Sequence, residues 1–168
     1  SQGEILEKQV EIDRLVSPGF TPLHLAVAKL ESGDEPIEMV SVLLSNRANP
    51  NIPNVVGQTP LHQAALLNFP EITSLLLDAE ADPNFPDDLH NYPVHIAASK
   101  NHAQILDILF QGGLKTNTQF ASTVNYRLQA DPRQLDGKKK SIVTLAKEKG
   151  HVELAEDLKK AMSRCMIM

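Results

Sequence analysis

The sequence predicts an all-α protein, a solenoid of about four helix-turn-helix repeats joined by short hairpin turns. Three observations predict this fold class. A six-residue block recurs along the chain, and apolar residues follow each copy at helical spacing. Aromatic residues are scarce, at 4% with no tryptophan, so the core has to be built from leucine, isoleucine, valine and alanine. Such small side chains suit close helix packing better than a β-sandwich.

The repeated block begins at Thr21 and reads Thr-Pro-Leu-His-Leu-Ala. Related blocks start at Thr59 and Tyr92, after 38 and 33 residues, and a weaker copy runs from Ser141 to Leu154. A second matching block follows each of the first three starts, and it closes on a shared asparagine. These asparagines are Asn51, Asn84 and Asn117.

Each block contains the signals for two short helices. A threonine or serine caps a helix whose first position is proline, where the missing N–H costs nothing. Proline also stands at the starts of second helices, at Pro36 and Pro70. Each helix pair leaves an apolar face that only the next pair covers, so the pairs have to stack.

These blocks resemble the ankyrin repeat, whose pattern includes Thr-Pro-Leu-His-x-Ala at a period near 33. The resemblance covers roughly residues 18–163 and implies an ankyrin-repeat domain. Its repeats would lie at about 18–51, 57–84, 90–117 and 137–163. Residues 1–17 would then form an N-terminal helix or partial capping repeat, and residues 164–168 a C-terminal tail.

The copies depart from the pattern at three places. The first repeat carries five extra residues within Lys29–Pro36, and an insertion of 16 residues falls at about 114–140. In that insertion Phe120 and Tyr126 belong to an alternating apolar series, which predicts a projecting hairpin that contacts a partner. A surface loop without regular structure is the alternative. The turn before the third repeat has His90 where glycine is usual, so His90 has to adopt a positive φ.

Composition argues against several classes of protein. Residues 1–137 carry 8 lysines and arginines against 17 aspartates and glutamates, whereas residues 138–168 carry 8 against 4. The acidic body argues against nucleic acid as the main partner. The single cysteine argues against a disulfide framework, and no secretory signal or apolar run of membrane-spanning length is present. The sequence therefore predicts an intracellular, cytosolic protein.

The evenly spaced His24, His62 and His95 invite a catalytic or metal-binding interpretation. Equivalent positions in stacked helices lie about 8–10 Å apart, too far for two imidazoles to share one zinc at about 2.0–2.1 Å each. No phosphate-binding loop or nucleophile elbow is present. We therefore expect no catalytic residue, no metal site and no cofactor, and the resemblance implies a structural role for these histidines.

The resemblance implies a partner-binding concave face formed by first helices and turn tips. Leu66, Leu67 and Phe69 stand out there, because the family usually has polar residues or Gly-His at these positions; packing of Phe69 on a neighbouring repeat is the alternative. The helix positions expected to bind a partner are Gln63, Leu66, Leu67, Phe69, Ile96 and Lys100. The expected turn-tip positions are Val55, Val56, Leu89 and His90.

The last four residues, from Cys165 to Met168, fit a prenylation box, and terminal methionine favours a farnesyl group. The upstream basic residues would add attraction to an anionic membrane surface. Ankyrin repeats joined to such a box also resemble effectors that intracellular bacteria deliver into host cells. The function predicted is a protein-binding adaptor or scaffold, tethered to a membrane if Cys165 is lipidated. The rival hypothesis is a targeting fragment of a larger enzyme that lies upstream of Ser1.

Overall fold

The computed structural model describes residues 11–16, 19–28, 36–110 and 133–165. Within these ranges it contains eight helices and no strand beyond an isolated bridge between Val16 and Phe20. The predicted all-α class is confirmed. The helices are α1 Pro22–Ala28, α2 Pro36–Ser45, α3 Pro60–Leu67, α4 Pro70–Asp78, α5 Pro93–Lys100, α6 Ala103–Leu109, α7 Ile142–Glu148 and α8 Val152–Cys165.

The helices form two layers. In the inner layer α1 contacts α3, α3 contacts α5 and α5 contacts α7. In the outer layer α2 contacts α4 and α4 contacts α6, and each inner helix also packs on the outer helix that follows it in sequence. The chain therefore stacks as helix pairs, each covered by the next.

The inner helices are short because local signals fix both of their ends. Helices α3 and α5 start at Pro60 and Pro93, each of which follows a residue with extended backbone. They end at Asn68 and Asn101, which adopt left-handed conformations with φ of 60° and 63°. Asparagine tolerates this region better than most residues.

The core between the layers is aliphatic, as the composition predicts. Paired alanines at positions 64 and 65 and at positions 97 and 98 are fully buried on α3 and α5. Leu61, Leu76 and Leu106 fill the remaining space with no exposed surface. Alanine at the helix contacts lets neighbouring backbones approach closely, and this approach keeps the inner layer continuous.

The tight turns between helix pairs share one geometry. Asn54, Asp87 and Asp136 each accept two backbone N–H groups of their own turn on one side-chain oxygen. The fourth residue of each turn has a positive φ, 77° at Gly57 and 58° at His90. The positive φ predicted for His90 is confirmed, and it keeps the turn before the third repeat identical to its glycine-containing counterpart.

Residues 11–16 form a hydrogen bond to the first helix pair, and an equivalent hydrogen bond is found further along the stack. The Asp13 carboxylate accepts the Asn49 backbone N–H at 2.8 Å. One repeat later, the Asn51 side-chain oxygen accepts the Asp82 N–H at 2.7 Å. Ile12 also packs against the core. Asp13 thus occupies the position that Asn51 has in the next unit.

Several sequence predictions lie outside the described residues. They include the hairpin with Phe120 and Tyr126, the asparagine Asn117, and the extra residues of the first repeat. Residues 1–10 and 166–168 are outside the described ranges as well.

Candidate protein-binding surface

A groove of about 710 Å³ lies along the inner helices α3, α5 and α7, below the turns at 87–91 and 136–140. Its apolar lining comes from Leu66, Leu89, Ile96 and Leu145. Its charged lining includes Lys100, Lys138 and Lys149. The groove crosses three successive helix pairs, so one bound segment could contact all of them.

The structure brings four of the predicted partner-binding residues into this groove, namely Leu66, Leu89, Ile96 and Lys100. Leu67 lies next to Leu66 and is 39% exposed. His90 is exposed at the tip of the third-repeat turn. Val55 and Val56 are exposed at the tip of the preceding turn, by 67% and 51%.

Phe69 is partly buried and packs against the core. It precedes α4 at the position that His102 and His151 take in the next two helix pairs. His102 Nδ1 lies 2.8 Å from the Ala65 carbonyl oxygen, and His151 Nε2 lies 3.2 Å from that of Ser99. Both histidines therefore bond back to the previous repeat, whereas a phenyl ring at this position can contribute only packing.

Gln63 is the polar member of an otherwise apolar row. Equivalent positions on the other inner helices are Leu25, Ile96 and Leu145. The Gln63 Oε1 atom is buried and has no hydrogen-bond partner among the described residues. A buried acceptor without a donor costs stability, and Gln63 is not among the residues that line the groove.

The groove also contains residues that the sequence analysis missed, namely Lys138, Leu145 and Lys149. Each matches an identified position through the offset of 49 residues between the third and fourth starts: Lys138 corresponds to Leu89, and Lys149 to Lys100. The repeat period could therefore have predicted these three residues. The period is hard to recognise there because the fourth copy has Ser141 and Ile142 in place of Thr-Pro.

The recurring histidines link each repeat to the next. In the first two repeats the Thr hydroxyl lies 2.8 Å from His24 Nδ1 and 2.9 Å from His62 Nδ1. The threonine N–H groups donate to the same Nδ1 atoms at 3.2 and 3.1 Å. Nδ1 is therefore the acceptor, and the proton of each neutral ring is on Nε2.

Each Nε2 then reaches a carbonyl of the following unit. His24 bonds to Gln58 at 2.9 Å, His62 to Asn91 at 3.1 Å and His95 to Gln134 at 3.2 Å. Burial lowers the pKa of all three imidazoles. The carbonyl bonds raise it less, and at His95 the charge of Asp136 also raises it. These contacts give the histidines the structural role expected from the resemblance.

The acidic groups at the turns are engaged by the backbone and by neighbouring side chains. The Asp87 carboxylate accepts the N–H groups of Leu89 and Asn91, and its second oxygen lies 3.5 Å from the Gln58 amide nitrogen. Within the described ranges, no three His, Cys, Asp or Glu side chains are grouped so as to hold a metal ion. Asp87 and Asp136 thus shape the turn tips that border the groove.

None of the described helices combines the length and the apolar character needed to cross a membrane.

Comparison with known protein families found the ankyrin-repeat pattern, in three copies, over residues 23–120. The matched segment runs from within α1 through α6 and ends before the fourth helix pair. A search of curated proteins returned no match.

Proposed function

Because the chain belongs to the ankyrin-repeat family, we propose that it is an adaptor or scaffold that binds another protein in the groove along its inner helices. Ankyrin repeats generally serve as protein-binding modules. In this proposal residues 137–163 form a fourth, C-terminal repeat. Its helices α7 and α8 pack on each other, and α7 packs on α5 as the earlier inner helices pack on their neighbours.

The observation that carries the proposal is the set of large apolar side chains exposed at the second repeat and the adjoining turn tips. Leu66 and Leu67 on α3 are 40% and 39% exposed, and Leu89 at the turn tip is 74% exposed. Apolar side chains grouped beside a groove favour an interface, because covering them releases water from apolar surface. Leu66, Leu89 and Ile96 line the same groove.

The experiment is an affinity capture that compares the wild-type chain with the double variant Leu66→Asp and Leu67→Asp. We expect the double variant to lose its specific partners, since two carboxylates would stand where apolar contacts form. Val42→Asp is the control for an aspartate added outside the groove. Val42 is 60% exposed on the outer helix α2, so its variant should keep the partners.

Circular dichroism has to show equal helicity for the three proteins. Partners retained by the folded double variant would contradict this placement of the site. Partners lost equally from the Val42→Asp control would contradict it as well.

The proposal extends to a membrane-tethered form if Cys165 to Met168 end the mature chain. Helix α8 runs to Cys165, and Lys159 and Lys160 are exposed on it. Metabolic labelling with a farnesyl analogue should then mark the wild-type chain and not a Cys165→Ser variant. Equal signal from both proteins would contradict prenylation at Cys165.

A further inference from the structure

We propose that the groove binds a short, extended peptide segment with apolar residues at one end and acidic residues at the other. The apolar end would lie on the second repeat and the acidic end on the fourth. This inference rests on the proposed function and specifies the chemistry of the partner.

The surface in and beside the groove changes from apolar to basic between the second repeat and the fourth. At the turn tips the equivalent positions are Val56, Leu89 and Lys138, and at the ends of the inner helices they are Leu67, Lys100 and Lys149. Both rows start with an exposed apolar residue at the second repeat and end with an exposed lysine at the fourth. A partner that matches both rows needs the same order of apolar and charged residues.

The positive charge at the basic end is available to a partner. Lys100, Lys138 and Lys149 are exposed and form no ion pair with the residues that the structure describes. Three acidic groups also line the groove: Glu148 pairs with Lys140, and Asp87 and Asp136 are buried, each with one oxygen that accepts two backbone N–H groups. The groove lining therefore carries four lysines, the fourth being Lys140, against three carboxylates, and a partner's carboxylates would meet the three lysines that form no ion pair within the described ranges.

The floor of the groove favours a peptide over a nucleic acid. Leu66, Ile96 and Leu145 supply apolar contact surface on three successive inner helices. No phenylalanine, tyrosine or tryptophan is among the described residues that line the groove, so bases would find no stacking platform of the kind that single strands use. Apolar side chains and carboxylates on one chain match what the groove offers.

The dimensions suit a short segment. Neighbouring packed helices lie about 8–10 Å apart, so the groove runs about 16–20 Å from the second repeat to the fourth. An extended chain rises about 3.3 Å per residue, and about six residues would therefore span this distance.

The experiment selects peptides from a displayed library of random dodecapeptides on the wild-type chain, and measures the enriched peptides by fluorescence anisotropy. We expect enriched peptides to contain an apolar block next to an acidic block. The triple variant Lys100→Glu, Lys138→Glu and Lys149→Glu should weaken their binding by about tenfold or more, and added salt should weaken binding to the wild type. The charge-matched control is Lys147→Glu, Lys159→Glu and Lys160→Glu, at exposed positions outside the groove, and it should bind as the wild type does.

Enriched peptides without acidic residues, or binding unchanged by the triple variant, would overturn the inference about charge. If those peptides still fail to bind the Leu66→Asp and Leu67→Asp variant, the proposed function stands. Failure to enrich any peptide, while partner capture still depends on Leu66 and Leu67, would overturn only the inference about a short segment. If no peptide is enriched and partner capture does not depend on Leu66 and Leu67, the proposed function is overturned too.

A polyanion site is the remaining outcome. A labelled oligonucleotide or a vesicle of anionic lipid that binds through the three lysines, in place of peptides, would identify such a site and overturn the inference.

Discussion

At the scale of single residues, three buried imidazoles link neighbouring repeats, and burial favours their neutral form. Nδ1 of His24 and of His62 accepts from the threonine that begins its own repeat, and Nε2 donates to the next repeat. A second proton would turn Nδ1 into a donor that faces the threonine N–H, so that bond would be lost. Desolvation acts in the same direction, because it disfavours the charged ring.

The stability of the fold should therefore fall as the pH falls. The pKa of these histidines in the folded chain is below the ordinary value of 6.5, so the unfolded chain binds more protons in the window between the two values. Their stabilising contribution is complete above the unfolded pKa and decreases as the pH falls toward the folded pKa. We expect a lower Tm at about pH 5.5 than at about pH 7.5.

Thermal unfolding at the two pH values tests this expectation. Burial raises the pKa of Asp78. A carboxyl group with a raised pKa stabilises the fold as the pH falls, so Asp78 opposes the effect of the histidines. The variant His62→Gln should have a lower Tm at neutral pH and a smaller difference between the two pH values. A wild-type Tm that is equal or higher at the lower pH would contradict the argument.

At the scale of elements, the tight turns combine two separate constraints on one residue. Gly57 has a φ of 77°, and a Cβ atom there would lie 2.5 Å from the Asp88 backbone nitrogen of the next turn. Gly150 has a similar φ of 83° but no heavy atom within 4 Å of such a Cβ. Substitution of the two glycines by alanine therefore distinguishes two losses of stability. Gly150 reports the strain of a left-handed backbone alone, and Gly57 reports that strain together with a clash between repeats.

We expect Gly150→Ala to lower the free energy of unfolding by about 1 kcal/mol, from backbone strain alone. Gly57→Ala should lower it further, by about 1–3 kcal/mol in total, because the Cβ also displaces the neighbouring turn. Urea denaturation of both variants measures the difference. Equal decreases in the free energy of unfolding for the two variants would show that the contact between the turns at 54–58 and 87–91 does not contribute to stability.

The same elements show how far the sequence specifies this protein. The repeats with the strongest blocks, from Thr21 and Thr59, predict helices that the structure places at Pro22–Ala28 and Pro60–Leu67. Helix caps, prolines and apolar spacing are local signals, so these helices could be predicted from the sequence. Lys138 and Lys149 were not predicted, because the copy that starts at Ser141 lacks the Thr-Pro start and hides the offset of 49 residues that relates them to Leu89 and Lys100.

At the scale of the whole molecule, stability is distributed along a line, because contacts connect neighbouring repeats. Leu106 on α6 and Leu158 on α8 are both fully buried. The first lies in the third helix pair, which has neighbours on both sides, and the second lies in the fourth pair. In such a stack, stability is the sum of intrinsic repeat terms and interfaces between neighbours.

Each change to alanine should cost about 2–5 kcal/mol, the usual range for a buried leucine. Leu106→Ala should destabilise the stack as a whole, since it weakens a unit that two neighbours depend on. Leu158→Ala should open the fourth pair before the others. Hydrogen exchange read by mass spectrometry distinguishes them: rapid exchange confined to α7 and α8 is expected for Leu158→Ala. Uniform loss of protection in that variant would contradict the linear description.

The direction of the histidine bonds bears on how such a chain can change its length. A unit such as residues 90–117 carries His95, which reaches forward, and His102, which reaches back. A duplication of that unit would copy both histidines, the one that bonds to the following unit and the one that bonds to the preceding unit. A longer array could therefore arise in one genetic step without new compensating substitutions. The fourth pair breaks the series, since Thr144 stands where the others have histidine and lies 3.1 Å from the Ser141 hydroxyl. In a longer array, an imidazole at position 144 would supply the bond that His24, His62 and His95 each make to the following unit.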